Sequence, residues 1–409
     1  MRKIYLRGSV AMFKNKYFTT GLGVYINYWM LGMVLILLSS NMGFVTTQFN
    51  TDAAGITFLI SIEGLTRSAT VYISGWLSDR FGRKPILCLS PFFEIIFLIG
   101  IPFAPNYGIA VLLSVFAGLS HAFVDSASYP SLVECFPKTP GTATVIIKAF
   151  VATGGITLPL IIGFFVNRGM FYGYTFFLIA GIYLINGLFL LTRKFPKANQ
   201  IEVSSDGKQI TRTEFDVEPV LRKEGLALIV IGFTSNAIFS GFQIWMPTFG
   251  QKILGMTQIG SLKLITYYSI GALVSVFILA KLLQKTVKPV LVLVIYPIIG
   301  IISLILILLI RTEAVATVGF ILIGLSSAGV LQMAQTTMGE LFYKNKGATM
   351  AMVSTAGGIA SAVVPALTGM ILRYSNIIYV FYFMAIIFII GISAAIFAKS
   401  RYDKVIAND

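Results

Sequence analysis

Residues 75–85 read Gly75-Trp76-Leu77-Ser78-Asp79-Arg80-Phe81-Gly82-Arg83-Lys84-Pro85 and lie between two long apolar runs. That placement predicts a short connection between two membrane helices. Pro85 suits the first turn of the second helix, where its missing N–H costs nothing. Gly82 permits a tight turn with positive φ. Arg80, Arg83 and Lys84 hold the connection on the cytoplasmic side of a membrane. Asp79 is the residue that needs explaining, because a carboxylate at a helix C-terminus opposes the macrodipole. It requires a compensating partner, either Arg83 or the N-terminus of another helix.

Composition agrees with a membrane protein. Of 409 residues 56% are hydrophobic and 11% charged, against about 25% charged in soluble domains. At about 20 residues per crossing, the apolar runs divide into twelve spans. They lie near 21–47, 53–78, 85–104, 107–131, 143–167, 171–192, 224–249, 260–282, 288–310, 314–338, 347–372 and 376–398. Eleven result if the half-polar run 260–282 fails to insert. The N-terminal segment lacks a cleavable signal pattern, so the first helix is expected to serve as its own insertion signal.

The net charge of +15 would suit a nucleic-acid partner, but the basic residues are placed otherwise. Most of the 31 Lys and Arg fall at the N-terminus, at residues 80–84, between Arg193 and Lys223, or in the alternate loops that follow. The positive-inside rule then puts both termini in the cytoplasm, and the expected location is the plasma membrane. Cys88 and Cys135 fall near that face, where a disulfide is not expected. With one histidine, no metal site is expected either.

The stretch 75–85 resembles the Gly-x-Leu-x-Asp-Arg-x-Gly-Arg-Lys pattern of the major facilitator superfamily, through Gly75, Leu77, Asp79, Arg80, Gly82, Arg83 and Lys84. The resemblance implies a secondary transporter with this loop in its cytoplasmic gate, between helices 2 and 3. The implied architecture is all-α, twelve transmembrane helices in two pseudo-symmetric six-helix bundles. The expected bundles are 1–192 and 224–409, joined by a cytoplasmic linker at 193–223 whose Ser204-Ser205-Asp206-Gly207 run signals a turn. About 30 residues cannot bury a core of their own.

Internal similarity supports a duplicated fold. At one offset of 206 residues, Gly118-Leu119-Ser120 matches Gly324-Leu325-Ser326, Glu134 matches Glu340, Pro159 matches Pro365 and Gly163 matches Gly369. Duplicated halves hold substrate between them near the midplane. The second copy of the gate, residues 279–289, keeps basic residues but has no acid and no glycine.

Charges inside a span cost at least about 2.5–3.5 kcal/mol at the centre, so each needs a partner or a polar cavity. In the second span Glu63, Arg67, Thr70, Ser74 and Ser78 share one helical face, and Glu63 with Arg67 at i,i+4 can pair directly. In the fourth span Ser114, Gly118, His121, Asp125 and Ser128 do the same. His121 and Asp125, one turn apart, are expected to titrate as a unit and carry a coupling proton, with Glu63 as the next candidate. Family members often carry an arginine four residues before the glycine of the fourth helix; here that position is Ser114. Lys148 in the fifth span has Ser354 as its counterpart. The pattern Gly155-x-x-x-Pro159-x-x-x-Gly163 reads as helix bending and close packing. Glu94 in the third span has no evident role.

The second half offers neutral polar groups: Asn236, Ser240 and Gln243, then Tyr267 and Tyr268, then Gln332, Gln335 and Thr336. Amides and phenols suit the hydroxyls and carboxylates of a small polar solute, or else bond helix to helix. No nucleophile-and-base set or phosphate-binding glycine loop occurs, so neither an enzyme nor a cofactor is expected. The expectation is a monomeric, proton-coupled symporter for a small anionic solute, with lipid its only other partner. Arg67, Lys148, Asn236, Gln243, Tyr267, Gln332 and Gln335 would bind substrate. The competing readings are a drug/proton antiporter and a solute receptor without turnover.

Overall fold

The computed structural model describes residues 15–137, 140–196, 218–282, 288–342 and 346–405. Among them every regular element is a helix. The basic residues Arg2 to Lys14, Lys138, the 204–207 turn, residues 283–287 of the second gate copy and Lys344 lie outside the described residues.

The first half contains α1 (Phe18–Val34), two short pieces α2 (Leu37–Ser40) and α3 (Met42–Phe49), then α4 (Ala53–Phe81), α5 (Arg83–Phe103), α6 (Tyr107–Cys135), α7 (Pro140–Asn167) and α8 (Gly173–Thr192). A π-helical turn (Leu221–Gly225) leads into α9 (Leu226–Lys252). It is followed by α10 (Gln258–Leu282), α11 (Pro289–Ile310), α12 (Glu313–Ser327), α13 (Val330–Leu341), α14 (Lys346–Tyr374) and α15 (Ile377–Val405). Ten spans among the described residues are long and apolar enough to cross a membrane, counting α12 with α13 as one. The broken segment 18–49 and α4, which carries Glu63, Arg67, Asp79 and Arg80, bring the architecture to a count compatible with twelve.

Helix ends follow local chemistry. The Asn106 side chain accepts from the Ile109 N–H at 3.0 Å and caps α6, satisfying a donor the first turn leaves open. Pro289 sits in the first turn of α11. The span expected at 314–338 is present but is built from two helices, because Ala328 takes an extended backbone and ends α12. The run 260–282 is a continuous apolar helix that qualifies as a span, as the twelve-span reading expects.

Contacts divide the described chain into two units. Residues 15–37 and 66–196 form one; residues 38–65 and 218–405 form the other. In the first, α5 packs on α6 and α8, and α1 packs on α7. The α1–α7 approach is close: a Cβ on Gly154 would stand 2.2 Å from the Trp29 carbonyl oxygen. Small residues at such crossings let helices meet backbone to backbone. In the second unit, α9 packs on α14 and α15, and α10 on α12. Its aromatic core includes Phe242, Phe249, Phe320 and Phe381, with the Phe249 and Phe381 rings stacked at 4.4 Å.

Candidate functional site

The first unit gathers its charge around Asp125. Ser74 of α4 bonds the Ala122 carbonyl at 3.1 Å and the Ser126 hydroxyl at 2.9 Å, joining α4 to α6. That contact brings Arg67 within reach of Asp125. Its Nε and Nη2 both donate to Asp125 Oδ2, at 2.8 and 2.5 Å. The Tyr28 hydroxyl of α1 donates to the other carboxylate oxygen at 3.1 Å. Tyr129, one turn beyond Asp125, meets Tyr28 edge to face at 5.9 Å.

Lys148 of α7 is half-buried and close enough to feel the charges of Asp125 and Arg67. No carboxylate among the described residues lies within 4.0 Å of it. Asp125 pairs with Arg67, which leaves Lys148 as a second basic side chain at this cluster. Neither Asp125 nor Arg67 is sealed off, at 18% and 31% exposure.

Two pairings expected from spacing do not form. Arg67 turns to Asp125 instead of Glu63, since the neighbouring helix offers its fork a carboxylate with two donors aligned. Glu63 is buried, one turn away on α4. His121 does not face Asp125. It points into the interior, where its Nε2 stands 3.6 Å from Glu94 Oε2 of α5, at 2% and 0% exposure. Neither carboxyl oxygen of Glu94, nor His121 Nε2, nor the hydroxyl of Tyr183 has a hydrogen-bond partner among the described residues. Glu94, without evident role in the sequence, is thus the partner of the chain's one histidine. Ser114 bonds the Ala110 carbonyl of its own helix at 3.0 Å.

The gate stretch forms as its chemistry predicts. Helix α4 runs to Phe81 and α5 begins at Arg83, so Gly82 alone makes the corner, at φ 91°. Arg83 binds Asp79, and its Nε donates to Glu134 of α6 at 3.1 Å. Arg80 instead lies over the rings of Trp76 and Phe81. Gly75 has open space around it, and Lys84 is half-buried.

The neutral groups of the second unit are partly committed to packing. Asn236 Nδ2 donates to the Gly357 carbonyl at 2.6 Å and to Ser361 at 2.5 Å, bonding α9 to α14. Gln335 donates to Ser354 at 2.5 Å. By the internal offset these two stand where the first half has Tyr129 and Lys148. Gln243 is buried; Tyr267 and Gln332 are half-buried. The gate glutamate's counterpart, Glu340, accepts from the Tyr402 hydroxyl at 3.2 Å, and Arg401 donates to the buried Glu224 at 2.6 Å. The second half therefore keeps an ion pair near its helix ends, built from residues outside the decayed stretch.

Tyr28 and Tyr129 escaped the sequence reading. Tyr129 stands four residues after Asp125 and shares its face, a usable signal. The first span carries no charge near Tyr28, so nothing marked that residue.

A family model described as the Major Facilitator Superfamily matches residues 20–349. The chain is 43% identical over 385 residues to an uncharacterized MFS-type transporter, YfkL, of Bacillus subtilis (strain 168), spanning 94% of this chain and 97% of that one. It is 36% identical over 392 residues to the inner membrane transport protein YdiM of Escherichia coli (strain K12), spanning 96% of each. The crystal structure of a D-xylose-proton symporter superposes with a TM-score of 0.74 at 15% identity, covering 94% of this chain and 97% of that one.

Proposed function

We propose, from the premise that this chain belongs to the Major Facilitator Superfamily, that it moves a small organic anion together with a proton. The family makes it a multi-pass membrane transporter, not an enzyme. The observation that carries the finer reading is the Arg67–Asp125 pair with Lys148 beside it.

A proton and Arg67 compete for the same carboxylate. When Asp125 is protonated, Arg67 loses its internal counter-charge and is free to take a substrate carboxylate in the same two-donor geometry. Lys148 adds a second cation. Proton and anion then bind cooperatively, each raising affinity for the other, which is the linkage a symporter requires. An anion arriving without its proton meets an Arg67 already occupied. Alternating access would run between two six-helix halves joined by 193–223, in the plasma membrane with both termini cytoplasmic. The D-xylose-proton symporter is named for proton symport and shares the fold; its sugar suggests nothing about this substrate.

Purified protein in proteoliposomes, given a panel of labelled organic acids and an inward proton gradient, tests the reading. Accumulation of an anion that collapses with a protonophore is expected. Extrusion of apolar cations would point to a drug/proton antiporter instead, and binding without accumulation to a receptor.

A further inference from the structure

One end of the first unit holds a cavity of about 760 Å³, bordered on one side by the stretch 81–85 and not part of the proposed substrate site. Five cations line it: Lys16 before α1, Arg83 and Lys84 at the start of α5, and Arg193 and Lys194 after α8. Arg83 is compensated by Asp79 and Glu134. The other four have no carboxylate within 4.0 Å among the described residues.

Topology alone asks for cations at this end of the chain, not for their convergence on one hollow. Like charges drawn together repel even in water, so their convergence carries a cost. Here the convergence is built in. The Thr20 hydroxyl donates to the Lys194 carbonyl at 2.8 Å, tying the segment after α8 to α1. The Asn15 side chain donates to the Cys135 carbonyl at 2.8 Å, tying the start of α1 to the end of α6. Arg193 is ordered over the Phe189 ring at 4.6 Å and bonds Thr192.

A ligand for such a cavity carries several anionic oxygens. The helices that border it carry exposed apolar side chains in the turns leading away from it, Leu89 and Phe92 on α5 and Ile185, Leu188 and Leu191 on α8. These suit acyl chains continuing from a headgroup held at the basic end. We infer that the cavity binds the phosphate headgroup of an anionic phospholipid, a site separate from substrate and independent of what the substrate is. Basic pockets between membrane helices hold lipid headgroups by the same chemistry.

The test uses the full chain in neutral detergent, with thermal unfolding followed as phosphatidylglycerol, phosphatidylcholine or inorganic phosphate is added. Phosphatidylglycerol should raise the midpoint by several degrees and phosphatidylcholine should not. The triple variant Lys84→Gln, Arg193→Gln, Lys194→Gln should lose that shift. Arg222→Gln with Lys223→Gln, an equal kind of charge loss at an exposed turn, should keep it. Should the triple variant fail to fold, the single variants Lys84→Gln and Arg193→Gln should each need about tenfold more lipid for half the shift. Equal responses from wild type and the cavity variants would overturn the site. Inorganic phosphate reproducing the whole shift and blocking phosphatidylglycerol would overturn the lipid as its source.

Discussion

Helix α6 presents two acid–base sites one turn apart, and they have opposite characters. Asp125 meets a cation and a phenol at 18% exposure, with Lys148 nearby. His121 meets Glu94 at 2% and 0% exposure, with no hydrogen-bond partner at either facing group among the described residues. An accessible carboxylate paired with a cation can exchange that cation for a proton or a substrate. The dry pair has no such freedom. Holding one proton between them keeps Glu94 and His121 net neutral; losing that proton or gaining a second would strand a charge in apolar surroundings. Sequence spacing places residues on one helix face, but the neighbouring helices decide which of them does chemistry.

The largest effect is expected on removing Arg67, the cation of the accessible site. Arg67→Gln is expected to weaken anion binding about a hundredfold, or roughly 2.8 kcal/mol at 1.4 kcal/mol per tenfold, measured by titration calorimetry on purified protein. The paired change Glu63→Gln with Arg67→Gln should not restore it, since Asp125 is the partner; restoration would return Arg67 to Glu63.

The dry pair should respond in stability instead. Glu94→Gln and His121→Gln should each lower stability by about 1–3 kcal/mol, the usual cost of orphaning a buried polar group, read from thermal melts. The pH dependence of uptake should not move. A displaced pH profile in Glu94→Gln would mean that the dry pair takes part in coupling.

Lys148→Gln should weaken anion binding about tenfold and leave the pH dependence alone, because the lysine adds charge without touching the exchanging proton. Its neutral counterpart sharpens the contrast between halves: Ser354→Ala, which removes the acceptor of Gln335, should change affinity by less than about threefold, within the range of a single neutral hydrogen bond.

A similarly small effect is expected elsewhere in the second unit. There Arg373 holds Asp52 by hydrogen bonds at 2.6 and 2.8 Å, which pull its carboxyl down to about 2. A depressed carboxylate contributes stability above its ordinary value near 3.8 and loses it as pH falls toward 2. Both side chains are nearly half exposed, so Asp52→Asn should cost at most about 1 kcal/mol at neutral pH. The wild type's advantage over it should vanish by about pH 2 in equilibrium melts.

The sequence carried the architecture well and the site unevenly. Apolar runs and basic loops gave the spans, since length and hydropathy are local properties of the chain. The corner at Gly82 and the Asp79–Arg83 contact followed because both partners sit within a few residues. The pairings of Arg67 and His121 did not follow, because each partner lies on another helix: Asp125 on α6 for one and Glu94 on α5 for the other. The i,i+4 pairs Glu63–Arg67 and His121–Asp125 were the nearest options on one helix, and cross-helix geometry overrode both. Asn236 illustrates the same limit: its amide looked available and instead joins α9 to α14.

Coupling in this proposal turns on the competition between a proton and Arg67 for Asp125. The direct measurement is the affinity for the transported anion across pH, in wild type and in Asp125→Asn. Linked binding of one proton predicts wild-type affinity rising toward tenfold per unit fall in pH, until Asp125 is protonated. Asp125→Asn should bind at the wild type's acid-limit affinity, with no dependence on pH. A variant that keeps the wild-type slope would place the coupling proton on another group and contradict the account.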